Sequence, residues 1–250
     1  SNLVKNSDQS KLPLNGKTVD EFLARMNPIF YDLNYDAKDV DLSAKDVIVG
    51  SSNNFYEGVN QKEVEDFYAK MKEADPKNRS QIGFNSKLTK VNGKIEEQVY
   101  KLGGMYGPAI EKIIYWLQKA STVAENEQQK KTIENLITFY QTGDPVAFDN
   151  YSISWVGDTI STVDAVNGFI EVYQDALQKK AAFESVVSMK DFEATKRIAA
   201  VSHEAQWFED NSPIMAEHKK KNVTGISAKV ITVISECGDA APSTPIGINL

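Results

Sequence analysis

Few residues in this chain could do chemistry. The pair His203-Glu204 stands out, because a helical His-Glu with a second His one turn on would build a zinc site with an adjacent base. That second histidine is missing. Trp207 and Phe208 occupy the positions that His-Glu-x-x-His or His-Glu-x-x-x-His would require, and His218 is the only other histidine in the 250 residues. An ordinary solvent-facing helix residue is the simpler reading of His203, so no metal ligand is assigned. The single cysteine, Cys237, excludes an internal disulfide and a Cys-rich zinc cluster, and reads as a small buried apolar residue. There is no Gly-x-Ser-x-Gly nucleophile elbow, and Gly103-Gly104 lacks the Lys and Ser/Thr of a phosphate loop and reads as a turn. Glu171 and Asp175 could serve as acid and base, but with 35 acidic residues such pairs arise by chance.

The elements that must position these residues are mixed. Thr18 to Glu21 and Asn60 to Glu63 have capping-box spacing, predicting a helix to about Asn27 and another carrying Val64, Phe67, Tyr68 and Met71 on one face. Alternation around Asn92-Gly93 predicts a tight hairpin. Pro108 opens a helix with Ile110, Ile113, Ile114 and Leu117 on one stripe. Another helix follows to Tyr140, ended by Gly143 and Pro145, and the short connection suggests an antiparallel pair. Tyr115, Trp116, Phe139 and Tyr140 sit at helical spacing and read as core or groove lining. Beyond Pro145, β-branched and aromatic enrichment predicts strands over 151–156, 166–173, 183–187 and 228–235. A helical stretch over 191–208 and a polar segment to Asn222 interrupt the last two.

A hydrophobic content of 41% is enough for a real core. A net charge of -7 and a pI near 5.0 leave no basic excess to neutralise phosphates, which argues against nucleic acid as a partner. A mean hydropathy of -0.40 without a long apolar run argues against a membrane span. The first ten residues show no signal-peptide pattern. The chain lacks an initiator Met and stops inside the apolar run from Ile246 to Leu250, which reads as an interrupted strand in a longer protein.

The segment Ile153-Ser154-Trp155-Val156, then Asn167-Gly168-Phe169-Ile170-Glu171-Val172-Tyr173-Gln174-Asp175, is similar to a signature of the dipeptidyl peptidase III family, which reads Gly-Phe-Ile-Glu-x-Tyr-x-Asp-Pro at the matching strand. Pro245-Ile246-Gly247-Ile248-Asn249-Leu250 likewise resembles the family's Pro-Ala-Gly-Ile-Asn-Ile. Weaker similarity covers Asn54-Phe55-Tyr56 to Phe67, the hairpin and the helix after Pro108, and the flavour is that of Bacteroidetes-type members. One departure is clear. The family's Asp-Pro-x-Gly is here Asp175-Ala176-Leu177-Gln178, losing the Pro and Gly that set a turn.

The resemblance implies a two-lobed zinc exopeptidase that releases dipeptides from the N-termini of oligopeptides by means of a zinc-activated water. Its zinc ligands would lie C-terminal to the matched segment, so this chain carries no cofactor and is expected to be inactive without a missing C-terminal catalytic lobe. Glu171 would bind the substrate's α-ammonium, Asn249 would hydrogen-bond the backbone near it, and Ile246 and Gly247 would belong to an edge along which peptide adds as a strand. Tyr173, on the same face as Glu171, would support the polarised carbonyl as the catalytic side chain of this segment.

The implied fold is α+β, with a small antiparallel β-barrel-like core and several packed helices from the lower lobe. Residues 1–193 would form the helices and barrel strands, 194–222 an excursion into the upper lobe, and 223–250 a truncated return strand. Apolar residues of that excursion, Ile198, Trp207 and Phe208, would need cover from a second copy, giving a homodimer through the exposed helix, or from the chain's own barrel. The family norm is cytoplasmic and a bacterial cell envelope location is the alternative, with the sequence deciding neither. A stand-alone peptide-binding or scaffolding domain that never held zinc is the rival reading of function.

Overall fold

Both capping boxes start their helices where the spacing puts them. The Thr18 hydroxyl accepts the Glu21 N–H at 3.2 Å while the Glu21 carboxylate accepts the Thr18 N–H at 2.8 Å. The Asn60–Glu63 pair does the same at 2.9 and 3.2 Å. The computed structural model describes residues 2–35, 38–77, 80–223 and 229–241. After a short α1 (Asn2–Lys5), α2 runs Val19–Tyr31, past Asn27 and through Pro28. Pro28 lacks one N–H, but its carbonyl still accepts the Asp32 N–H at 2.9 Å, so the last turn closes.

A short α3 (Val47–Gly50) and α4 (Gln61–Ala74) cover the first sheet. In that sheet β1 (Tyr56–Glu57) pairs in parallel with β2 (Ser86–Val91), which pairs antiparallel with β3 (Lys94–Val99). Asn92 and Gly93 take φ of 51° and 79°, the left-handed pair a two-residue hairpin needs. Val64 and Tyr68 of α4 pack with Leu88, Ile48 and Val59 into a small core.

The larger core lies among α5 (Gly107–Ser121), α6 (Glu127–Thr142) and α7 (Pro145–Gly157). Phe139, fully buried, sits 5.8 Å from Phe84 and 4.8 Å from Phe148 between ring centroids. Tyr115 and Trp116 do not join this core and stand exposed. The strand expected over 151–156 is instead the second half of α7. Asp144 caps it by accepting the Val146 N–H at 2.9 Å, and Pro145 opens its first turn. The sequence misleads because Ile153 and Val156 face outward while Ser154 is buried, its hydroxyl donating to the Tyr151 carbonyl at 2.8 Å.

The second sheet is antiparallel, ordered β4 (Val163–Glu171), β5 (Ala182–Lys190), β6 (Ile231–Gly238). The class is α+β, but the expected barrel is absent: the two three-stranded sheets are separate and neither closes on itself. Closure requires enough tilted strands to bring the edges together. With 151–156 helical, β4 and β6 are the edges of this sheet among the described residues.

The long helix expected over 191–208 is two, α8 (Phe192–His203) and α9 (Ala205–Asp210), broken at Glu204, whose N–H donates to the Val201 carbonyl at 3.1 Å. This pair is held to the sheet's entry by the Asp191 N–H donating to the Val230 carbonyl at 2.8 Å, and Trp207 and Phe208 are 57% and 51% exposed. Among the described residues no helix is long and apolar enough to cross a membrane.

Phe139→Ala should cost roughly 3–5 kcal/mol of folding free energy, since it removes a ring with no room to collapse. Urea unfolding followed by far-UV circular dichroism would check this; a loss under about 1 kcal/mol would mean that the helical core is not what holds the fold.

Candidate functional site

Glu171 ends β4 at an irregularity in the ladder. Phe169 opposes Phe183, yet the next paired residue, Glu171, opposes Ala182, so one extra residue is inserted on β4. The bulge turns Glu171 onto the face of β5 that carries Glu184. Tyr173 lies beyond the strand and is 60% exposed. Strand spacing therefore does not bring it to Glu171; the turn after the bulge does. Partial loss of hydration, then the neighbouring Glu171 carboxylate with Asp239 and Glu184 behind it, pushes the Tyr173 phenol up to about 12. At neutral pH this hydroxyl is a donor.

Asp239, just past β6, joins the same cluster and accepts from the Gln174 amide at 2.8 Å. Glu184, on β5, is 1% exposed. Burial first, then the charges of Glu171 and Asp239, raises its carboxyl to about 7. Neither Glu184 nor Asp239 was singled out from sequence. The available signal was a charge at Glu184 in phase with Val186, on the buried face of a predicted strand.

The turn that carries Tyr173 and Gln174 is fixed by Asp175. Its carboxylate, 1% exposed, accepts from the Tyr56 hydroxyl at 2.7 Å and from the N–H groups of Leu177, Lys179 and Lys180 at 3.2, 2.9 and 2.8 Å. Gln178 adopts φ +50°, the left-handed conformation that glycine takes most readily, and stands where the similar family has its Gly. The loop thus keeps its turn without the Pro and Gly. Next to it the Lys180 ammonium, fully buried, donates to the Tyr68 hydroxyl, to the Gly83 carbonyl at 2.9 Å and to Ser86 Oγ at 2.8 Å. Burial lowers Lys180 to about 8, against the opposing pull of Glu97 and Asp175.

A model described as peptidase family M49 matches residues 44–250. The chain belongs to that family. Among its relatives are Nudix hydrolase 3 of Arabidopsis thaliana, 26% identical over 58% of this chain and 18% of that protein, and dipeptidyl peptidase 3 of Rattus norvegicus, 24% identical over 59% and 20%. The structure of dipeptidyl-peptidase III from Corallococcus sp. strain EGB is 25% identical with a TM-score of 0.55, over 75% of this chain and 34% of that one. The chain therefore spans about a fifth of the length of the curated relatives it matches.

Other expected sites fare differently in this M49 segment. Zinc, which the family resemblance implies for a whole enzyme, finds no fitting donor set here: among the described residues no three His, Cys, Asp or Glu side chains come together to hold a metal ion. His203 is exposed at the end of α8. Cys237 is exposed rather than buried, because β6 is the outer strand of its sheet among the described residues. Ile246, Gly247 and Asn249 lie outside the described residues.

Asp175→Ala should destabilise the fold by roughly 3–5 kcal/mol in urea titration, since it strands buried donors around the empty position. Gln178→Gly should leave stability unchanged or up to about 1 kcal/mol higher, because it relieves a left-handed non-glycine residue while loosening the unfolded chain. A clear loss on thermal melting would mean that the Gln178 side chain, and not its backbone, holds the turn.

Proposed function

We propose that this chain is the substrate-binding portion of a zinc-dependent dipeptidyl peptidase that releases dipeptides from the N-termini of oligopeptides. The observation that carries this reading is the state of Glu171. Its carboxylate is part-exposed beside the exposed Tyr173, and none of the ion pairs among the described residues uses it. A carboxylate with no cation paired to it among the described residues suits the ammonium of a free peptide N-terminus; an acylated terminus brings no charge to pair with it.

Tyr173 would donate to a substrate carbonyl, a role for which a phenol held up to about 12 keeps its proton. Asn249, Gly247 and Ile246 would add main-chain hydrogen bonds to an extended peptide, giving affinity with little dependence on side chains. The excursion 194–222 would belong to the second lobe. Zinc donors would come from polypeptide outside the described residues, consistent with the small share of its relatives that this chain spans.

Calorimetric titration with Ala-Ala-Ala-Ala and its N-acetylated form tests the reading. The free amine should bind the more tightly, and Glu171→Ala should weaken it by roughly 30-fold, the lower end of what truncating one partner of a close charge pair costs. Equal binding of the acetylated peptide, with Glu171→Ala matching the unmodified protein, would overturn it.

A further inference from the structure

Among the described residues, Glu184 alone has both carboxyl oxygens enclosed with no hydrogen-bond donor. Buried polar atoms nearly always find a partner, so such a group asks for a reason. Its cross-strand neighbours are glycines on both sides, Gly168 on β4 and Gly238 on β6, and neither brings a donor side chain. Nor is there room for one. A Cβ at Gly168 would stand 2.8 Å from the Phe148 ring, and one at Gly238 would stand 2.0 Å from the Phe183 carbonyl oxygen.

Among the described residues, the charged groups facing Glu184 are of one sign, with one neutral phenol beside them. Glu171 approaches from the bulge of β4, Tyr173 from the turn beyond it, Glu236 shares its face on β6, and Asp239 follows that strand. On its own strand the residues in phase, Ala182, Val186 and Ser188, carry no charge. The charges that act on it are those of Glu171 and Asp239, both negative. What this enclosed carboxyl lacks among the described residues is a positive charge, and the peptide ammonium proposed at Glu171 would supply one.

We propose that Glu184 is a positioning residue of the amine site: it holds a proton while the site is empty and releases it to solvent when an ammonium pairs with Glu171. The proposal rests on the reading of Glu171 given above. The exchange balances, since the complex gains one ammonium and the bulk one proton. With the empty-site carboxyl at about 7, binding is linked to proton release below neutrality. Affinity for a free-amine peptide then climbs by up to about tenfold per pH unit below 7. It declines again above about 8, where the α-amine itself loses its proton.

The test uses the full chain and Ala-Ala-Ala-Ala at pH 6.5, by calorimetry in buffers of low and high ionisation enthalpy, with affinity also followed from pH 5 to 7.5. Most of one proton should be released per peptide. Glu184→Gln, a neutral mimic of the protonated state, should abolish that release, flatten the pH profile and hold affinity at its low-pH level. Infrared spectra of the peptide-free protein at pH 6 should contain a protonated-carboxyl C=O band that Glu184→Gln removes. If Glu171→Ala weakens binding but no proton is released, or Glu184→Gln keeps the unmodified pH slope, the inference is overturned and the amine site stands. If the infrared band is present and Glu171→Ala has no effect, the amine site falls and takes the proton linkage with it.

Discussion

The connection between β4 and β5 is where the two sheets of this fold are joined, and the network that holds it there is centred on a buried carboxylate. Asp175 gathers the N–H groups of Leu177, Lys179 and Lys180 in its own turn and the hydroxyl of Tyr56 from the first sheet. Lys180, at the other end of the turn, reaches Tyr68 on α4 and the backbone and hydroxyl at the start of β2. The Ala181 N–H then donates to the Phe84 carbonyl at 2.9 Å, so side chains and main chain fasten the same few residues. Taking two charges out of water is expensive, and the arrangement is tolerable because nearly every polar atom involved has a partner. Glu97 completes it, accepting from Tyr68 and Ser86 at 2.6 and 2.7 Å and facing the Lys180 ammonium at 3.8 Å.

Set beside this network, the acidic cluster at the edge of the second sheet is built on the opposite rule. Lys180 and Glu184 are equally inaccessible, yet one is saturated with hydrogen bonds and the other has none. A saturated buried charge specifies a fold. An unsatisfied one destabilises it above the pH at which it ionises, and persists only where something else compensates. The turn fixed by Asp175 separates the two, so the rigid network supports Tyr173 and Gln174 on the side where the unsatisfied carboxyl lies.

Much of this was legible in the sequence, for local reasons. Capping boxes, Asn92-Gly93 and the Pro108 helix start are decided by neighbouring residues, and each appears where its spacing put it. Strands β4, β5 and β6 followed from their β-branched and aromatic content. The segment 151–156 failed because its alternation of apolar and small polar residues arises on a helix whose outer face is also apolar, so period 2 and period 3.6 could not be told apart. The barrel failed with it, since strand count decides closure. Cys237 failed because burial belongs to the sheet edge and not to the residue type.

The site divides along the same line. Glu171 and Tyr173 could be found only by resemblance, as nothing in their spacing separates them from other carboxylates and tyrosines. What puts Glu171 on the face of Glu184 is a bulge, a non-local consequence of how β4 is paired, and no periodicity in a single strand encodes it. Were the ladder regular, Ile170 would oppose Ala182 and Glu171 would turn to the other face. The acidic cluster therefore depends on one inserted residue, whereas Gly168 and Gly238 flank Glu184 in the ladder before the bulge and would do so without it. The placing of these acidic side chains is thus a property of the register of the second sheet, which the Asp175 turn locks from one end.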